Sequence, residues 1–247
     1  MSDDEVRAAP YPVSGEGKDL WDEALSQHFE HYWYNARKKI DLRRLDGFGE
    51  IAVRIHDEGN TYLHLDRLYT LWQAVMTMPP AQAIVEIGAY QGGSAKFVAE
   101  ALRRAGRPLP FYVCDTFEGH VVVDAELDPK HKVGVQFRST SAERVTTYLD
   151  AYDFVHVIKG DIRATAATLP HDREFGFVHI DVDVYPITRF CLEYFAPRVV
   201  AGAMLVVDDY GFRTCPGAKK AVDDFVAETT GYRMLHLLTG QAVLIKL

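Results

Sequence analysis

Ala83-Ile84-Val85-Glu86-Ile87-Gly88-Ala89-Tyr90-Gln91-Gly92-Gly93-Ser94 reads as a strand, a glycine turn and the start of a helix. The apolar run has the length of a buried strand and is followed by an amphipathic stretch to Ala105. Glycines in the turn permit positive φ and close backbone approach. A loop at the head of a helix offers free N–H groups to the anionic part of a ligand. The spacing, with Gly88 followed only by Gly92 and Gly93, departs from the G-x-G-x-x-G of dinucleotide-binding proteins.

The same alternation continues downstream. Strands are predicted at 111–114, 154–158, 175–180 and 203–207, with helices near 141–149, 162–169, 187–195 and 216–229. Two last strands, 234–238 and 242–246, are joined at Thr239-Gly240. Strand–helix alternation implies a doubly wound, mostly parallel α/β sheet. The closing strand–turn–strand adds an antiparallel element at one edge. Upstream, 63–76 has helical spacing stopped by Pro79-Pro80. The aromatic-rich stretch 20–45 (Trp21, Phe29, Tyr32, Trp33, Tyr34) reads as one or two amphipathic helices. The organisation expected is therefore an N-terminal arm over 1–18, a helical cap or lid over 19–80 and a ligand-binding catalytic domain over 81–247.

Composition narrows the class. The chain has 247 residues, 48% hydrophobic, and a formal net charge of -8, which fits a globular protein with a sizeable core and lacks the basic footprint of a nucleic-acid binder. Its three cysteines, Cys114, Cys191 and Cys215, are odd in number and widely spaced, which argues against a disulfide framework or a structural zinc site. The acidic start, Met1-Ser2-Asp3-Asp4-Glu5, is unlike a signal peptide, and no apolar run is long enough to span a bilayer. A cytoplasmic protein is expected.

Acidic residues close several of the predicted strands. Asp115 ends the second strand, where an acid one βαβ unit after a glycine turn accepts ribose hydroxyls; Phe117 beside it is expected against a purine face. Asp161 follows the third strand, placed to read an adenine amino group or to cap the next helix. Asp181, with Asp183 beyond it, ends the fourth, and Asp208-Asp209 the fifth. Side chains at the carboxyl ends of neighbouring parallel strands converge on one crevice. Carboxylates crowded there need a cation or donors, and three oxygen ligands suit Mg²⁺ rather than zinc.

Ile84-Val85-Glu86-Ile87-Gly88-Ala89-Tyr90 resembles the first motif of S-adenosylmethionine-dependent methyltransferases, in the form seen in catechol O-methyltransferase. Asp115-Thr116-Phe117-Glu118-Gly119, His179-Ile180-Asp181-Val182-Asp183-Val184-Tyr185 and Val207-Asp208-Asp209-Tyr210-Gly211 more closely resemble the macrocin O-methyltransferase family, which methylates sugar hydroxyls of natural products. The resemblance covers roughly 60–247. It implies a Rossmann-like class I fold with a seven-stranded sheet, and S-adenosylmethionine held by Tyr62, Glu86, Gly88, Ala89, Tyr90, Gly92, Ser94, Asp115, Thr116, Phe117 and Asp161. It implies Mg²⁺ on Asp181, Asp208 and Asp209. Catechol-type relatives place a lysine base after the strand-4 aspartate; here Val182-Asp183-Val184 stands instead. Asp181 is the preferred base, with Asp183, His120 or solvent as alternatives. The resemblance implies a deoxysugar hydroxyl of an antibiotic-like metabolite as acceptor. The expected partners are a glycoside and, in a homo-oligomer, further copies of the chain, with neither nucleic acid nor membrane. Alternatives are a catechol O-methyltransferase and a non-catalytic nucleoside-binding protein.

Overall fold

The computed structural model describes residues 47–247; the arm over 1–18 and the helices read at 20–45 lie outside the described residues. Helix α1, Phe48–Asp57, and helix α2, Leu65–Thr77, come first. The first of these was not anticipated. Its buried residues, Phe48, Ala52 and Ile55, fall at helical spacing, so the signal was present but short and interrupted by Gly49. Phe48 meets the rings of Tyr69, Trp72 and Phe97 edge-on at 5.1, 5.9 and 6.0 Å, which fixes α1 to its neighbours.

The alternating unit then runs β1 (Ala83–Ile87), α3 (Gly93–Arg104), β2 (Phe111–Asp115), α4 (Ala142–Tyr148), β3 (Val155–Lys159), α5 (Ile162–Thr165), β4 (Phe175–Ile180), α6 (Tyr185–Phe195), β5 (Val199–Val207), α7 (Pro216–Glu228), β6 (Tyr232–His236) and β7 (Ala242–Lys246). These strands form one seven-stranded sheet in the order β3-β2-β1-β4-β5-β7-β6. The first five are parallel, and β7 runs antiparallel to both β5 and β6. The reversed strand is thus inserted one place in from the edge. Strand order changes direction between β1 and β4, the place where ligands bind in open α/β sheets.

Strand β5 begins four residues earlier than its apolar pattern suggested. Gly202 at φ +79 and a register shift opposite Phe175/Phe177 let the chain stay paired through an irregular start. Period-2 alternation then sorts β1, β4 and β5 between two faces. Val85, Ile87, Val178, Ile180, Leu205 and Val207 join one apolar core. Glu86 and His179, which are register partners, point to the opposite face. Both are fully buried there, so the sheet carries a polar seam through its middle.

The long loop between β2 and α4 is pinned by Asp128, itself fully buried. Its carboxylate accepts N–H bonds from Asp124 at 2.8 Å and from Tyr185, at the head of α6, at 3.0 Å. Gly217 lies so close that an added Cβ would stand 1.8 Å from Asp128 Oδ1. The loop is therefore a built wall of the cleft.

Candidate active site

The cleft lies at the carboxyl edge of the sheet. Gly88 (φ +95) turns the chain out of β1 beside β4, where an added Cβ would stand 1.7 Å from the Asp181 carbonyl oxygen. Only glycine fits there without moving backbone. Gly93 is held by the segment before α2, since its N–H donates to the Asn60 carbonyl at 3.1 Å. That contact places Tyr62 beside Tyr90, their rings stacked at 5.5 Å.

At this end the backbone does most of the positioning. Asp115 accepts the Tyr90 N–H at 2.7 Å and the Phe117 N–H at 2.6 Å. Burial raises its pKa, and those two donors partly offset the rise. Tyr90 (φ 47) and Phe117 (φ 55) both take left-handed backbone conformations, which is uncommon for aromatic residues and marks a constrained turn. Asp161 accepts the Arg163 N–H at 2.9 Å, capping α5, and the Arg163 guanidinium holds its pKa down. The capping reading is correct for its carboxylate, which also borders the cleft.

Tyr62, Gly88, Ala89, Tyr90, Ser94, Asp115, Thr116 and Asp161 line the cleft together with Asp181 and Asp209. Four expected residues are placed differently. Glu86 lies inside the seam, its Oε1 2.8 Å from His179 Nδ1. Gly92 packs toward Val145 and Tyr148. Phe117 is buried, so its ring is no open platform for a purine, and Asp208 lies behind the cleft wall, fully buried. Glu86, Phe117 and Asp208 turn their side chains inward from positions beside the cleft, and Gly92 turns its backbone toward α4.

The other end of the cleft is built from side chains. Asp208 Oδ1 accepts the Gln241 amide at 2.7 Å and lies 3.5 Å from His179 Nε2, while Oδ2 meets the Arg67 guanidinium. Arg67 also comes within 4.0 Å of Asp181 Oδ1 and lies over the Phe212 ring at 5.0 Å. Asp209 accepts the Asp183 N–H at 2.9 Å. Asp183 stands at φ 63, a strained conformation of the kind that collects at functional sites. Burial, and next the Asp209 carboxylate, push Asp181 and Asp183 well above the ordinary carboxylate range; burial raises Asp209 too. Arg67 is the cation set among these groups, and a further positive charge would relieve their mutual repulsion.

His120 faces the same end. Burial, with the neighbouring His131, lowers its pKa to about 4, so the ring is neutral at neutral pH. Arg67, His131, His179, Cys215 and Gln241 were not singled out as site residues. His179 stood inside a quoted motif, and its alternation with Asp181 along β4 was a usable signal. Gln241 and Arg67 carried none, because they reach the site only through tertiary packing.

Comparison with known proteins supports the architecture. A 4'-O-methyltransferase of Streptomyces olivaceus acting on 8-demethyl-8-(2,3-dimethoxy-alpha-L-rhamnosyl)-tetracenomycin-C is 28% identical over 174 residues, covering 65% of this chain and 64% of that enzyme. Demethyldecarbamoylnovobiocin O-methyltransferase of Streptomyces niveus is 29% identical over 157 residues, covering 59% and 58%. The chain thus matches less than two thirds of the length of either relative. Among solved structures, the O-methyltransferase NovP shares the fold with a TM-score of 0.61 at 24% identity, over 76% of this chain and 81% of that one. The calicheamicin methyltransferase CalS11 does so at 0.58 and 17% identity, over 80% and 91%. A methyltransferase-domain family model matches residues 85–210, a span that runs from the glycine turn through both acidic strand ends, and the chain belongs to that methyltransferase domain family.

Proposed function

We propose that the protein is an S-adenosylmethionine- and Mg²⁺-dependent O-methyltransferase that acts on a sugar hydroxyl of a glycosylated natural product. The observation that carries this reading is the meeting of two features in one cleft. The glycine turn and Asp115 stand at one end; Asp181 and Asp209 stand at the other, with Asp208 behind them. The rhamnosyl acceptor in the name of the Streptomyces olivaceus relative supports the acceptor class, and the demethyldecarbamoylnovobiocin acceptor of the Streptomyces niveus relative supports a natural product.

The donor types suit both groups. Asp115, oriented by two backbone donors, would accept the ribose hydroxyls of the cofactor. Tyr62, Tyr90 and Ser94 would border its remaining parts, and Asp161 would face the base. Asp181, Asp208 and Asp209 offer only oxygen donors, which suits a hard divalent ion. They would hold it in competition with Arg67 for the Asp208 carboxylate. When bound, S-adenosylmethionine supplies an electrophilic methyl group, and the cation favours ionisation of the acceptor hydroxyl.

Asp183 receives the hydroxyl proton. Asp181, the base expected from sequence, lies close to Arg67 and Asp209 and is better used as a ligand, since one carboxylate does not both bind a cation tightly and hold a proton. Asp183 Oδ1 accepts the Cys215 thiol, and Oδ2 lies 3.7 Å from His120 Nε2. His120 and Phe212 flank the acceptor and exclude water.

The test is transfer of labelled methyl from S-adenosylmethionine to a panel of deoxysugar glycosides and simple catechols, with EDTA and with Mg²⁺. Methylated glycoside formed only with Mg²⁺ is expected. Products from catechols alone would reassign the acceptor, full activity in EDTA would remove the cation, and no binding of S-adenosylhomocysteine would end the reading.

A further inference from the structure

Two histidines of the pinned loop meet a carboxylate from the end of β4. His120 Nε2 is 3.1 Å from His131 Nδ1 and 3.7 Å from Asp183 Oδ2. The three ligand atoms lie within 4.8 Å of one another. For a tetrahedral ion with bonds of about 2.0–2.1 Å, ligand atoms stand roughly 3.3 Å apart, a value that falls between the two measured edges.

The surroundings are those of a ligand set. The other ring nitrogen of His131, Nε2, lies 3.0 Å from the Thr214 carbonyl oxygen. A carbonyl has no proton to give, so Nε2 is the protonated nitrogen, and the Nδ1 lone pair accepts the His120 Nε2–H, the proton that an ion bound between the two rings displaces. Metal-bound histidines have this arrangement, with the far N–H given to a carbonyl or carboxylate. The His131 N–H also donates to the Asp128 carbonyl at 3.0 Å, and the Gly134 N–H donates to the His120 carbonyl at 2.8 Å. Both rings are thus carried on a loop that the buried Asp128 fastens to α6. His120 and Asp183 border the cleft, which leaves an approach for a fourth ligand.

We propose that His120, His131 and Asp183 form a second metal subsite in this cleft, selective for a borderline divalent ion such as Zn²⁺ and separate from the all-oxygen set of Asp181, Asp208 and Asp209. Imidazole nitrogen favours Zn²⁺ over Mg²⁺, so the two sets divide the two kinds of ion between them. The thiol of Cys215, 3.4 Å from Asp183 Oδ1, stands ready beside the subsite without being one of its three ligands. Where Asp183 is also the proton acceptor, filling this subsite removes the base, and Zn²⁺ inhibits.

The test is a Co²⁺ titration of the full chain in excess Mg²⁺, read by visible d–d absorption. One equivalent of Co²⁺ is expected to give the intense spectrum of a four- or five-coordinate ion that Mg²⁺ does not displace. His120→Ala and His131→Ala each remove a ligand and should weaken Co²⁺ binding by more than the roughly 10–100-fold that loss of a ligand's supporting partner costs, with thermal unfolding showing that the variants are folded. Asp208→Asn should leave Co²⁺ affinity within about two-fold. Displacement of Co²⁺ by Mg²⁺ in the unaltered protein would overturn the proposal without any variant. Folded histidine variants that bind Co²⁺ normally would overturn it as well, and reduce the pair to a structural hydrogen bond.

Discussion

The two ends of the cleft are built by opposite means. At the glycine-turn end, backbone N–H groups orient one carboxylate, and the partners are near in sequence: Tyr90 and Asp115 are 25 residues apart. At the acidic end, side chains do the holding over long separations: 93 residues for Glu86–His179, 33 for Asp208–Gln241, and 174 for the Gln241 amide on the Arg67 carbonyl. The first end is close to internally satisfied. The second crowds carboxyl groups into a buried place, where among the described residues Arg67 is set against Asp208 and Asp181. Under the proposed function, a cation would draw its binding free energy from the second end, while the cofactor would gain at the first by shape and hydrogen bonding.

If the ends are separable, Asp209→Asn should lower kcat by about a hundred- to a thousandfold, the order seen when a main electrostatic contributor to catalysis is removed. Affinity for S-adenosylhomocysteine, read by calorimetry, should stay within a few-fold. Loss of both together would show that the ends are one unit. Gly88→Ala attacks the point where they touch. The added methyl meets the Asp181 carbonyl from a positive-φ position, and a loss of several kcal/mol of stability is expected in denaturant unfolding. A stability close to that of the unaltered chain would mean that the turn can relax.

His179→Ala leaves Glu86 and Asp208 buried without their shared partner, at a cost of about 3–5 kcal/mol. A loss under about 1 kcal/mol would show that the seam is not a coupled network. The smallest effect is on pH dependence. Asp181, Asp183 and Asp209 have raised pKa values in the fold. Their protonated forms favour the folded state, and that contribution is complete below the unfolded value near 3.8 and lost as pH rises through the raised values. In EDTA the melting temperature should therefore drop through this range, and the gain from added Mg²⁺ should grow with pH. A gain independent of pH would place the cation away from these carboxylates.

The same contrast explains what could be read from the sequence. The strand–helix alternation gave the order of elements from 83 onward, and the acids at strand ends identified the rim of the cleft. Period-2 alternation was not carried through to side-chain direction, so Glu86 was expected at the rim when its place on β1 sends it inward with His179. Phe117 differs from expectation in exposure: it stands at φ 55 with its side chain buried, whereas a purine face needs an open ring. His131 lay in a stretch read only as a polar loop; its role depends on Asp128 fixing that loop, which no local pattern announces. Arg67 was legible as a helix residue, and its pairing with Asp208 depends on how α2 packs over the sheet.

Gln241 sits between β6 and β7, yet its amide closes the network around Asp208 and Arg67. Contacts at such separations carry a larger loop-closure cost and form late. The glycine turn needs β1, β2, the head of α3, β4 and the segment at Asn60, none of them from the terminal hairpin. A refolding chain should therefore complete its glycine-turn end first and the acidic end, with the cation affinity proposed for it, only when the terminal hairpin docks, so the maturation of this cleft has a direction, from the end made of backbone to the end made of side chains.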